Sequence, residues 1–247
     1  IGLPDRIVYI ACAIFAVAGT LAAFRIMFWW LFVPLLAIVL VFTWRFVPQS
    51  VGTSIRHFRG SIVAVLLAIV WFAVQIPLAS QYLVPIRDPG IYAVVGAGIA
   101  HTGGSPIDIS QAFHLAKTVA GLNANLGPFG SYGTDSIRLQ GSNGVPAVLA
   151  IGFWLGGVQG EILIPLLIGA VGLLALYGLS RRFMGPYWSL LPSMLIGLAM
   201  PYLYFSRTTY TEMMALVLLV ASAGWIVSAF NTKRVSDFVI AGALAGA

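Results

Sequence analysis

Charge is what this sequence lacks most. Charged residues make up 8% of the 247, against roughly 25% in a soluble domain. Apolar residues make up 60%, and the mean hydropathy is +0.98. Too little polar surface exists to cover a water-soluble fold, so the chain is read as a polytopic membrane protein. Acid is scarcer than base, with seven Asp and Glu against thirteen Lys and Arg, a formal charge of +6. In a membrane chain such an excess reports which loops stay inside, and no nucleic-acid partner is expected. The single cysteine, Cys12, lies in an apolar run and excludes an internal disulfide. There is no phosphate loop, nucleophile elbow, CxxC pair or HExxH. The missing phosphate loop argues against direct use of a nucleotide. The chain opens on Ile1 and stops at Ala247 within an apolar run, so it is expected to be a fragment of a longer one.

The apolar residues come in blocks. A span needs about 20 of them, which predicts spans over 7–24, 27–44, 61–82, 162–179, 187–205 and 210–230, with another opening at Phe238. A shorter piece, 146–157, is half a span. Placing the loop of Arg56 and Arg59 in the cytoplasm puts 83–145 outside. Arg181-Arg182 and Lys233-Arg234 then fall inside only if 146–157 does not cross, as an interfacial or re-entrant helix of about 12 residues. The expected organisation is N-terminal spans over 1–82, an external loop with juxtamembrane helices over 83–161, and further spans over 162–247. Asp88, Asp108, Asp135, Glu161 and Glu212 then collect externally or at the external boundary, with His101, His114, Lys117, Arg138 and Arg207. Asp5 and Asp237 are cytoplasmic, beside Arg6 and Arg234.

The segment Arg87-Asp88-Pro89-Gly90-Ile91-Tyr92, running to His101-Thr102-Gly103-Gly104, carries most of the candidate chemistry. Asp before Pro reads as a helix start, and Thr102-Gly103-Gly104 as its stop. The helix, 89–101, would lie on the membrane with Ile91, Val94, Val95, Gly98 and Ile99 on one side. Capping explains Asp88 by itself, yet a capping carboxylate is also rigidly held, as a general base must be. Arg207 is an interface anchor or a phosphate grip. Glu212 favours a helix dipole, or shares a divalent cation such as Mg or Mn with Asp88. His101 and His114 lack metal-ligand spacing. Tyr132, Asp135 and Arg138 sit in the Gly-rich stretch 127–144, a functional loop or a disordered one.

The order of these parts resembles the GT-C superfamily of integral membrane glycosyltransferases, in its protein mannosyltransferase-like branch. Asp88 and Tyr92 match the acidic motif of its first external loop, although Pro89 stands where a Glu is usual. Thr102-Gly103 match its helix end. Gly144-Val145-Pro146-Ala147 keeps part of a Pro-rich helix start. Leu176-Tyr177-Gly178-Leu179-Ser180-Arg181-Arg182-Phe183-Met184-Gly185 and Tyr204-Phe205-Ser206-Arg207, followed by Glu212, are closely similar to family patterns. The resemblance covers roughly 85–220. It implies an all-α transmembrane bundle whose long external loop carries interfacial helices. It also implies transfer of a sugar from a polyprenyl-phosphate donor to a hydroxyl of a glycan, lipid or protein on the external face. Asp88 would be the base, with Arg87, Tyr92, His101, Arg207 and Glu212 binding substrate and the base and phosphate grip sharing an interfacial cavity. A flippase for lipid-linked glycans would need broken spans with midplane charge. A non-catalytic membrane subunit would not need Asp88.

Overall fold

The computed structural model describes residues 2–44, 55–81, 88–105, 107–108, 110–119, 136–137 and 142–246. Ten helices dominate the described chain: α1 Leu3–Ala23, α2 Trp29–Trp44, α3 Ile55–Gln75, α4 Asp88–Thr102, α5 Ser110–Thr118, α6 Gly144–Ser180, α7 Leu190–Gly197, α8 Met200–Ser206, α9 Glu212–Thr232 and α10 Val235–Ala245. A 3-10 turn, Ile76–Leu78, continues α3, and strands β1 Ile107–Asp108 and β2 Ser136–Ile137 pair antiparallel. Four segments are long and apolar enough to cross a membrane: Leu3–Ala23, Ile55–Leu78, Gly144–Ser180 and Glu212–Thr232. Shorter apolar helices lie at Trp29–Phe42 and Val235–Ala245. The chain is an integral membrane protein of helices.

The contacts divide it into two units. The first comprises 1–14, 36–80 and 165–247; the second comprises 15–35 and 81–164. Charge divides with them. The first holds nine Lys and Arg against three carboxylates; the second holds four of each. The whole formal excess of +6 therefore resides in the first unit.

In the second unit, α4 packs through Ile91, Ala93, Val95, Gly96 and Ile99. Val94, expected among them, is 39% exposed. The stop at Thr102-Gly103 has a visible cause. Thr102 Oγ1 donates to the Gly98 and Gly104 carbonyls. Gly103 adopts φ +79, a left-handed conformation that glycine takes without cost. The Gly103 carbonyl accepts from Met27 N at 2.9 Å, which seats the end of α4 on the α1–α2 turn.

Helix α6 breaks at Gly156 and Gly157, where Gly157 has φ +58. Its first arm, 144–155, is about 18 Å long. Residues eight apart on a straight helix are about 12 Å apart, yet a Cβ on Gly152 would come within 2.7 Å of the Gly160 carbonyl and 2.9 Å of the Glu161 Cα. The chain therefore doubles back, and two glycines let the arms touch backbone to backbone. The non-crossing segment expected at 146–157 corresponds to this first arm. Leu155, at the tip, is 81% exposed.

In the first unit, the span expected over 187–205 is not one helix. Helix α7 ends at Gly197, Ala199 is extended, and α8 starts with Pro201 in its first turn. Proline fits a first turn but cannot supply the amide that would continue α7. The Gly197 carbonyl at the break accepts from the Trp71 indole Nε1 at 2.9 Å. Tyr202 packs edge-on to Trp71, ring centres 5.7 Å apart, and donates to the Gly169 carbonyl at 2.5 Å.

Candidate functional site

Asp88 opens α4 with its side chain exposed. Tyr92 lies one turn on, half-buried. His101, at the other end of the helix, is exposed and packs edge-on to Phe153 with ring centres 5.2 Å apart. Arg87, Tyr132, Asp135 and Arg138 lie outside the described residues. Asp88, Tyr92 and His101 thus share one helix of the second unit, whereas Arg207 and Glu212 belong to the first. Asp108 accepts the Ser110 N–H at 2.8 Å, and that bond holds its carboxyl below the usual range. Among the described residues, no three His, Cys, Asp or Glu side chains gather where they could hold a cation.

Arg207 stands just after α8. Its backbone N bonds back to Leu203 and Tyr204, and its carbonyl accepts from Ser80 N at 2.9 Å. Its guanidinium donates Nε and Nη2 to one acceptor, the Gln75 Oε1, at 2.9 and 2.7 Å. Gln75 ends α3 and is 5% exposed. The partner is a neutral amide, and the only ion pairs among the described residues are the two made by Asp5. Glu212, five residues on, is exposed at the first residue of α9. A guanidinium has five N–H donors. Two are spent on Gln75, so the positive charge is oriented but not cancelled.

No family model matches the chain, and neither a curated protein nor a solved structure is similar to it.

Three further residues hold positions that local sequence did not reveal. Gln75 is the first, a polar residue at the end of an apolar run. Asp5 is the second: it pairs not with Arg6 but with Arg181 Nη2 at 2.9 Å and Arg182 Nη1 at 3.1 Å. Ser61 and Ser228 accept from the same two arginines. Gly178 lets the carboxylate close in, since a Cβ there would lie 2.6 Å from Asp5 Oδ1. The Tyr-Gly-Leu-Ser-Arg-Arg run across the end of α6 is therefore a seat for the start of α1. Arg6 instead lies over the Trp44 ring, 5.4 Å from its centre. Glu161 is the third. It is 2% exposed, its Oε1 has no hydrogen-bond partner among the described residues, and a Cβ on Gly96 would come within 2.5 Å of that oxygen. Its place in the hairpin of α6, facing α4, could have been suspected from an acidic residue next to an apolar run.

Proposed function

We propose that the chain is a membrane glycosyltransferase that moves a sugar from a polyprenyl-phosphate donor to an acceptor hydroxyl on the external face of the membrane. The observation that carries the reading is the guanidinium of Arg207, aimed by a neutral amide and left without a carboxylate. A guanidinium held in that way suits an anionic headgroup. The order of the Asp88, Thr102-Gly103, Tyr177–Gly185 and Ser206-Arg207 motifs adds the resemblance to the GT-C superfamily.

The chemistry assigns each residue one task. The acceptor oxygen bonds to the anomeric carbon, and the bond from that carbon to the phosphate oxygen breaks. Asp88 takes the hydroxyl proton as general base. The lipid phosphate leaves with the electron pair, and Arg207 stabilises the charge that grows on it. Tyr92, His101 and Glu212 are proposed substrate contacts, with Arg87 beside Asp88 in sequence. The flippase reading gains a broken helix at α7–α8. That break, however, is filled by the Trp71 indole rather than by an ionisable group, unlike the charge-lined breaks of transporters.

The test replaces Asp88 by Asn. Asn caps helices about as well as Asp, so folding is expected to survive, while turnover falls by roughly 10²–10⁴ with loss of a general base. Transfer from a polyprenyl-phosphate sugar by purified Asp88→Asn is the measurement. Turnover near that of the wild type removes Asp88 from the mechanism.

A further inference from the structure

The Arg207 site poses a question of design: why is its fixed partner an amide? Gln75 Oε1 accepts two N–H groups of the guanidinium, at 2.9 and 2.7 Å. A glutamate of the same length would accept both more strongly, because charge-assisted hydrogen bonds are about twice as strong as neutral ones. It would also cancel the charge. The first unit has only three carboxylates for nine cations. Asp5 is held by two arginines, and Asp237 is buried and accepts from Thr232 Oγ1 at 2.7 Å. Glu212 is exposed and makes no ion pair among the described residues. Among the described residues, no carboxylate of this unit neutralises Arg207.

We infer that Gln75 is a positioning residue that makes Arg207 a receptor for a phosphate-ester oxyanion: it fixes the guanidinium through one edge with a neutral oxygen and keeps its charge for the ligand. Both halves of the residue are held. Ser80 and the end of α8 anchor the backbone, and buried Gln75 anchors the side chain. The free edge, Nη1 with the second N–H of Nη2, has the fork geometry that grips a phosphate through two bonds. A half-buried charge with no counter-ion is costly, and an arriving oxyanion relieves that cost. The inference rests on the reading of Arg207 as an anion grip, which the experiment tests separately.

The full-length protein is purified in detergent as wild type, Gln75→Glu, Gln75→Met and Arg207→Ala. Each is titrated with a short-chain prenyl phosphate and, separately, with inorganic phosphate, and its unfolding midpoint is recorded. Gln75→Glu is expected to bind about tenfold more weakly or worse, about 1.4 kcal/mol, because a carboxylate in contact with the guanidinium cancels the charge the ligand would meet. Its unfolding midpoint is expected to hold or rise. A purely structural Gln75 forecasts the reverse, a midpoint that falls and an affinity that does not change. Gln75→Met keeps the charge and loses the aim, so its affinity is expected to fall by a smaller factor. Wild-type affinity in either Gln75 variant overturns the inference, as does a wild type that binds neither probe. If Arg207→Ala binds like wild type, the anion grip itself is wrong. If Arg207→Ala loses binding while Gln75→Glu keeps it, only the role of Gln75 falls. Binding of the prenyl phosphate alone supports a lipid-linked headgroup, and equal binding of both probes supports a site for the oxyanion alone.

Discussion

Replacing Asp5 by Asn asks what one carboxylate does for a unit that is otherwise basic. In the folded protein, Asp5 Oδ2 receives Arg181 and Oδ1 receives Arg182. The arginine side chains keep 14% of their surface exposed and the aspartate 9%, so the cluster is close to buried. Breaking a buried pair costs about 3–5 kcal/mol, because the charge left behind has no partner. Asn retains one acceptor oxygen and turns an N–H₂ toward the second guanidinium. The residual exposure lowers the expected cost to about 3 kcal/mol, a shift of roughly a hundredfold in the unfolding equilibrium. Reversible unfolding in mixed micelles measures it, with wild type and Asp5→Asn compared at one pH and one salt concentration. A variant within about 0.5 kcal/mol of wild type refutes the reasoning, since that is the size of an exposed pair.

Trp71→Phe keeps an aromatic ring beside Tyr202 but leaves the Gly197 carbonyl without its donor; a loss of about 1–3 kcal/mol is expected, read by the same unfolding assay. The sidedness argued from the basic loops is tested by single cysteines at His114 and at Thr208 in a Cys12→Ala background. Each is expected to react with an impermeant thiol reagent added outside, and a protected cysteine at either position refutes the arrangement.

What sequence made legible follows from what is local. The apolar blocks and the stop at Thr102-Gly103 are patterns within a few residues, and they agree with helices α1, α3, α4 and α9. A loop count suggested that 146–157 does not cross, and the reversal at Gly156-Gly157 was not among its expectations. The break between α7 and α8 escaped, although Pro201 signals it. Proline alone is a poor guide, because Pro34 and Pro165 lie inside helices that continue. What decides is whether another group takes the freed carbonyl, and Trp71 is 126 residues from Gly197. The links from Asp5 to Arg181 and from Gln75 to Arg207 span 176 and 132 residues. No periodicity reports a partner at that separation. Candidate residues were therefore legible one at a time, and their partners were not.

The reversal at Gly156-Gly157 also bears on how the chain enters a bilayer. An arm of 12 residues, about 18 Å, is too short to be held across a 30 Å hydrocarbon core by itself. Residues 160 and 161 fold back against Gly152, so entry of the two arms as one piece is the expected route. Glu161 travels with them, and a carboxyl in hydrocarbon is costly without cover. Its cover is Gly96, on a helix that is translated some sixty residues earlier. By the time Glu161 emerges from the ribosome, α4 has already been made, and the surface that shields the acid precedes it.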